Sequence, residues 1–178
     1  GRLLRKKGEL QEAERWLKRA IELNPASWRS YAQLAKLRIK QGDSERARQH
    51  YEEAMACFQE APPWILNQQL AWLLATSPDD SVRDGQRAVR LAQSAVDAQG
   101  SQPLCWDTLA AAQAEVGQFK DAEESASKAA TLPASSVSKT HALAEIQKRI
   151  ELYRRGQKFR TSLADAMIDV PTAGESAR

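Results

Sequence analysis

Residues 106–132 read WDTLAAAQAEVGQFKDAEESASKAATL, and Pro133 follows them. Gly117 divides the stretch into two segments of helical periodicity. Trp106 and Leu109 share one face of the first segment, and the apolar face of the second is mostly alanine: Phe119, Ala122, Ala126 and Ala129. Because two helix axes approach to about 8–10 Å only where small side chains face each other, the pattern predicts a helix hairpin closed along an alanine seam.

The same template occurs twice more towards the N-terminus. Gly42 is followed at the same offsets by Ala47, Tyr51 and Ala54. Gly8, which lies 34 residues before Gly42, is followed by Ala13, Leu17, Ala20 and Pro25. A fixed period of this length indicates stacked copies of one helical hairpin, each of which buries the open face of its neighbour.

These residues and their spacing resemble the tetratricopeptide repeat, a 34-residue helix hairpin with a conserved order of large, small, glycine, aromatic and proline positions. The segment LAWLLATSPDDSVRDGQRAV, from Leu70 to Val89, is similar to a variant repeat frequent in large bacterial proteins of this family. The resemblance implies an all-α, right-handed solenoid of antiparallel hairpins with a C-terminal solvating helix. It also implies that the chain binds other proteins, without naming the partner.

The predicted units have unequal lengths. Ala47 and Ala88 hold equivalent positions but are 41 residues apart, and most of the surplus falls in a loop insertion at 77–85. Val137 to Arg155 reads as one amphipathic helix whose apolar face carries Leu143, Ile146, Ile150 and Tyr153. The units are a partial repeat with a truncated first helix (1–25), a repeat (26–61), a variant repeat (62–100), a repeat (101–135), a capping helix (136–158) and a flexible tail (159–178).

The register places Gly1 in the middle of a first helix. Gly8 would make the turn of that hairpin, and Glu9 to Leu23 would form its second helix. We therefore expect the chain to be part of a longer protein. Asp43 follows the next turn and is a candidate N-cap for the helix that carries Ala47.

Composition limits the classes of protein. The chain has 26 basic and 23 acidic residues and a formal net charge of +3. No run approaches the roughly 18–20 apolar residues that cross a bilayer, and the N-terminus lacks a charged-then-apolar signal pattern, so we predict a cytoplasmic location. Cys57 and Cys105 stand alone on predicted helices, where small apolar packing is favoured over redox or metal roles.

The sequence contains no catalytic or metal-binding constellation. His50 and His141 lack a zinc-site spacing, and no G-x-S-x-G or phosphate-binding glycine loop is present. Asp79, Asp80 and Asp84 could surround a cation, but they lack the alternating spacing of a calcium loop, which favours a solvated loop with a helix cap. We predict no enzyme activity and no cofactor.

A basic cluster lies near the C-terminus. Residues 137–160 carry seven basic and two acidic side chains, and the cluster comprises Arg149, Arg154, Arg155, Lys158 and Arg160. Such a cluster could contact nucleic acid or another anionic surface. A solvated helix face is favoured, because only Tyr153 and Phe159 supply interleaved aromatic rings.

The first helix of each hairpin would line the inner curve of the solenoid. Mapping the repeat positions onto the sequence gives a candidate partner-binding groove of Arg29, Gln33, Lys36, Gln69, Trp72 and Asp107. The first half of this groove is basic. Trp72 could anchor a ligand side chain, as tryptophan does at binding hot spots, or it could pack against a neighbouring helix or under the loop insertion.

One subclass of the family holds the C-terminal carboxylate of chaperone peptides with asparagine and basic residues at fixed positions. Those positions here hold Arg2, Gln33, Ile65 and Gln69, so this ligand class is not favoured.

The function most consistent with these patterns is a non-enzymatic scaffold that binds a protein or peptide segment in the groove, and the basic half of the groove favours a segment with acidic residues. Two alternatives stay open. The chain could be the regulatory or substrate-docking region of a larger enzyme whose catalytic domain precedes residue 1, or a self-association module that uses apolar surface such as Leu3, Leu4 and Trp16.

Overall fold

The computed structural model describes residues 2–133 and 139–161, with side chains for residues 8–133 and 143–161. The described residues form helices without strands. The helices are α1 (Arg2–Leu23), α2 (Trp28–Lys40), α3 (Ser44–Ala56), α4 (Trp64–Thr76), α5 (Gly85–Gln99), α6 (Pro103–Glu115), α7 (Phe119–Thr131) and α8 (Lys139–Arg154). The predicted all-α architecture is confirmed.

Three hairpins follow one another as α2–α3, α4–α5 and α6–α7. Gly42 and Gly117 turn the first and third hairpins with φ of 79° and 84°, a left-handed conformation that glycine adopts without a Cβ penalty. The Asp43 carboxylate accepts a hydrogen bond from the Arg46 N–H at 3.0 Å, which confirms the predicted N-cap of α3. Asp84 caps α5 in the same way through the Arg87 N–H.

The predicted alanine seams are buried between the paired helices. The seam alanines have no more than 1% of their surface exposed: Ala47, Ala54, Ala88, Ala92, Ala95, Ala122, Ala126 and Ala129. A first apolar cluster runs from α2 to α6, and a second joins α6 and α7 to Ile146, Ile150 and Tyr153 of α8. The last helix therefore covers the apolar side of the third hairpin, as a repeat array requires at its end.

The predicted turn at Gly8 is wrong. The backbone of α1 runs without a break from Arg2 to Leu23, and Gly8 has no positive φ. A continuous helix satisfies the backbone hydrogen bonds of residues 2–7, whereas a hairpin arm needs an apolar face to bury. Residues 2–7 offer only two leucines among four basic residues.

The helices that come first in each hairpin, α2, α4 and α6, carry the predicted groove positions, and we call the surface at these positions the inner face. α4 and α6 pack directly on each other, and α8 packs on α7. The polar contact between α4 and α6 is a buried hydrogen bond of 2.7 Å that Gln68 Nε2 donates to Thr108 Oγ1.

Candidate functional site

The α2 part of the inner face is accessible. Arg29 and Gln33 are exposed and Lys36 is half-buried, and spacings of four and three residues place them on one side of the helix. The Arg29 guanidinium lies 4.6 Å from the ring centroid of Trp28, so the two side chains form a cation–π contact. We call Arg29, Gln33 and Lys36 the open face.

The α4 and α6 part of the inner face is covered. Gln69 and Trp72 are half-buried, and Asp107 is only 4% exposed. We call Gln69, Trp72 and Asp107 the covered face. The expectation of an open groove is wrong at Trp72 and Asp107, because Phe159 lies against the first and Arg149 binds the second, while Gln69 is half-buried.

Arg149 of α8 holds Asp107. Its Nε and Nη2 atoms donate to the two carboxylate oxygens at 2.9 and 2.7 Å, and both side chains are buried. Burial raises the pKa of the Asp107 carboxyl, and the guanidinium acts against that rise. With each of its oxygens accepting a hydrogen bond from Arg149, Asp107 positions α8 against α6.

Trp72 packs against the C-terminal part of the chain. The centroids of the Trp72 and Phe159 rings are 5.8 Å apart, and the Arg149 guanidinium lies 5.5 Å from the first and 5.2 Å from the second. Of the two predicted roles of Trp72, the packing role is the one observed. These contacts come from Arg149 of α8 and from Phe159 after α8, and Trp72 also packs against the first apolar cluster, which neighbouring helices contribute to.

Residues 157–161, which we call the strap, follow the left-handed turn at Gly156 and return to α4. The Thr161 N–H donates to the Thr76 carbonyl at 2.9 Å, and the two threonine hydroxyls are 2.6 Å apart. Arg160 pairs with Glu115 at 2.7 Å. The prediction that a flexible tail begins at 159 is thus wrong for residues 159–161, while residues 162–178 lie outside the described part.

The basic cluster predicted near the C-terminus is neutralised within the chain. Arg154 pairs with Glu123 and Arg155 with Glu151, and the remaining members contact Asp107 or Glu115. Arg83 also reaches Glu115, at 3.4 Å, so three cations surround that carboxylate. Each member of the cluster therefore contacts an acidic side chain of the same chain, with Glu115 shared by Lys158 and Arg160.

The remaining candidates for chemistry have structural roles. Asp79 accepts hydrogen bonds from Ser81, and Asp80 pairs with Arg83. No group of three or more His, Cys, Asp or Glu side chains that could hold a metal occurs among the described residues. Burial raises the pKa of the Cys105 thiol to about 11, which keeps it protonated and unreactive at neutral pH.

Sequence reasoning missed four residues that shape this site: Glu115, Arg149, Phe159 and Thr161. Arg149 and Phe159 were noticed only as part of a charged stretch. The sequence does mark Glu115 and Arg149 as unusual. Glu115 ends α6 and Arg149 lies on the apolar side of α8, so each places a charge on a face that otherwise buries hydrophobic residues.

Comparison with known proteins agrees with the repeat pattern. Residues 4–76 match the family model described as tetratricopeptide repeat. The matched stretch, which is less than half of the chain, resembles tetratricopeptide repeats. The crystal structure of MamA matches the chain with a TM-score of 0.62 at 16% identity, over 85% of this chain and 81% of that chain. This likeness shows the solenoid fold, and no curated protein matches the sequence.

Two general observations bear on function. Tetratricopeptide repeats typically serve as non-catalytic scaffolds for protein–protein interaction. Within residues 2–133 and 139–161, no helix combines the length and apolarity that a membrane crossing requires.

Proposed function

We propose that this protein is an interaction scaffold whose open face on α2 binds an acidic segment of a partner protein. The observation that carries the proposal is the composition of α2, which has Arg29, Lys36, Arg38 and Lys40 and no acidic residue. Arg38 is already engaged by Glu14 of α1. Arg29 remains exposed over its aromatic support, with Gln33 one turn further along the same side.

The chemistry of these side chains defines the ligand. An arginine held on a tryptophan ring presents several N–H donors in a fixed plane, which suits a carboxylate of a partner better than a freely rotating cation would. The Gln33 amide adds a donor and an acceptor for peptide groups. An extended or helical partner segment with acidic side chains matches this set, whether it belongs to a separate chain or to another domain of the same polypeptide.

The test compares two charge-reversal variants of the same net charge. Arg29→Glu with Lys36→Glu changes the open face, and Arg90→Glu with Lys120→Glu changes two exposed cations on α5 and α7. Each variant is used as bait in cell lysate beside the unaltered chain, after circular dichroism has shown equal helix content. We expect an acidic partner to be retained by the unaltered chain and the α5–α7 variant and lost by the open-face variant.

A quantitative step identifies the determinant. The segment of the retained partner is made as a peptide, and its affinity is measured at low and high salt. We expect at least a tenfold loss for the open-face variant and weaker binding at high salt, since exposed charges are screened. Equal retention by both variants would move the binding surface away from α2.

A second candidate function, self-association, is favoured by one observation. Trp16 and Leu23 of α1 are 68% and 72% exposed, an unusual state for large apolar side chains. Sedimentation of the unaltered chain and of Trp16→Gln across a hundredfold concentration range tests it. Self-association through α1 requires a mass that rises with concentration for the unaltered chain and stays monomeric for the variant.

A further inference from the structure

The strap occupies the covered face in the manner of a bound peptide. It leaves α8 through the left-handed Gly156, has no helical hydrogen bonds of its own, and crosses from the end of α8 to the end of α4. At its far end, Thr161 bonds to Thr76 through both its N–H and its hydroxyl, although the two residues are 85 positions apart. The covered face thus accepts a short segment of non-helical backbone.

The acceptors that receive the strap are set by the helix ends. α4 ends at Thr76, so its last carbonyl groups have no partner within the helix and stay available. Arg160 lies 3.4 Å from the Ala75 carbonyl and 2.7 Å from Glu115, which ends α6. Two helix C-termini and the carboxylate favour a cation at this position, and the same carboxylate also lies 3.4 Å from Arg83, which is outside the strap.

The aromatic part of the strap has an equally defined receptor. Phe159 lies against the Trp72 ring, and the Arg149 guanidinium, fixed by Asp107, lies against both rings. One aromatic side chain, one basic side chain beside it and one backbone N–H make most of the contacts. This set of partners constitutes a recognition pattern, and the strap sequence Phe159-Arg160-Thr161 satisfies it.

We propose that the covered face is a second binding site, specific for an extended protein segment in which a basic residue follows an aromatic residue, and that the strap is its built-in occupant. A partner segment of this chemistry binds by displacing residues 157–161. The strap is suited to displacement, because its hold consists of one aromatic pair, a few hydrogen bonds and partly exposed ion pairs. This site is independent of Arg29 and Lys36.

Competition with a tethered occupant sets the condition for exchange. A segment on a short tether has an effective concentration in the millimolar range, so a partner must exceed that level or bind additional surface. A partner that also uses the open face would meet this condition. The strap then prevents binding of weak ligands that contact only this one site.

The test reads the Trp72 indole N–H by nuclear magnetic resonance in the full chain labelled with ¹⁵N. The chain has five tryptophans, and Trp72→Phe assigns the relevant signal. The release variant carries Phe159→Ala and Arg160→Ala. Trp106 is the internal control, because its indole donates to the Gly100 carbonyl at 2.8 Å on another side of α6.

The probe is a synthetic peptide with the strap sequence Gly-Gln-Lys-Phe-Arg-Thr, and the control peptide has Ala in place of Phe. In the release variant we expect the Trp72 signal to move while the Trp106 signal stays. Adding the probe at millimolar concentration should return the Trp72 signal towards its original position, with at least a tenfold weaker response in the unaltered chain and for the control peptide.

Three results would overturn the proposal: no response of the released Trp72 to the probe, an equal response to both peptides, or an equal response of the unaltered chain. If the release variant fails to fold, Thr161→Pro with Arg160→Ala replaces it. That change removes the N–H donor and the Glu115 partner while keeping Phe159. The open-face variant serves as a further control, since it should bind the probe as the unaltered chain does.

Discussion

The two halves of the inner face differ in what covers them. On α2 Arg29 and Gln33 remain exposed, whereas on α4 and α6 Phe159 of the strap packs against Trp72 and Arg149 binds the buried Asp107. Both halves are built from the same hairpin with the same alanine seam. The comparison teaches that the repeat positions the inner face, while residues outside the repeats decide which part of that face is available.

The halves also differ in how their charges are satisfied. Around the covered face each strong charge meets an opposite one, as Asp107 meets Arg149 and Glu115 meets Arg160. On the open face Arg29 is supported by the Trp28 ring. A buried ion pair fixes one arrangement of the helices, whereas an exposed cation can bind a ligand. The same residue types therefore stabilise the fold in one half and are available for binding in the other.

The largest expected effect comes from breaking the buried pair of the covered half. Arg149→Met leaves the Asp107 carboxylate buried without its two donors, and such a change costs about 3–5 kcal/mol in the free energy of unfolding. Urea denaturation measures it. Asp107→Leu combined with Arg149→Met should recover much of the loss, because no uncompensated charge remains. Lys148→Met, at a neighbouring exposed position, is the control and should change little.

The next effect tests whether the hairpin seams of the two halves behave alike. Ala47→Leu in α3 and Ala126→Leu in α7 each insert three carbon atoms into a site with no exposed surface. We expect each to cost about 1–3 kcal/mol, measured by thermal unfolding. Only Ala126→Leu should also weaken protection of the Thr161 amide from hydrogen exchange, because Ala126 shares a cluster with Ile150 and Tyr153 of α8.

Ala98→Leu is the matched control for that pair. Ala98 is exposed on α5, so the larger side chain has room and stability should stay within about 0.5 kcal/mol. An equal loss at Ala98 and at the two seam positions would contradict the assigned register of the hairpins. If the Thr161 amide of Ala126→Leu exchanges as slowly as in the unaltered chain, the position of the strap does not depend on the packing of α8.

The hairpins could be predicted because their cause is local. Alanine at helical spacing, a glycine between two periodic segments and an aspartate at a helix start all act within one or two turns, and the predicted N-cap at Asp43 is the observed one. The turn at Gly8 fails for a related reason. Glycine permits a turn, but the arm before Gly8 lacks the apolar face that would make a hairpin more stable than a continuous helix.

The covered half could not be predicted because its contacts are distant in sequence and irregular in spacing. Asp107 and Arg149 are 42 residues apart, and Thr76 and Thr161 are 85 apart. Arg149 resembled its basic neighbours on a helix face, and Phe159 stood in a stretch without periodicity. Only the packing of α8 on α7 brings the first to Asp107 and the second to Trp72.

A smaller effect separates the ion pairs that hold the strap from those that hold α8. Glu115→Gln weakens the contacts with Arg160 and Lys158, at a cost of about 1 kcal/mol or less because both cations are partly exposed. We expect faster hydrogen exchange of the Thr161 amide with little change in global stability. Glu123→Gln breaks a comparable pair with Arg154 between α7 and α8 and should leave that amide unaffected.

The smallest expected effect concerns the junction of α1 with the open half. Hydrogen bonds from Lys18 and Arg38 lower the pKa of the Glu14 carboxyl below its usual value of 4.5. Because the folded pKa is the lower one, the stabilisation is complete above the unfolded pKa and is lost as the pH falls through the folded pKa. Glu14→Gln should therefore cost about 1 kcal/mol or less at pH 7 and progressively less below pH 4.5.

The two cations that contact Glu14 are expected to contribute differently to the stability lost in Glu14→Gln. Lys18 lies on the same helix and is 60% exposed, whereas Arg38 belongs to α2 and is 12% exposed, so only the Arg38 contact joins α1 to the open half. Lys18→Gln should reduce stability less than Glu14→Gln does, as followed by urea denaturation at pH 7 and at pH 4. Equal losses would mean that the pair stabilises α1 alone, and that the open half is held by its apolar contacts.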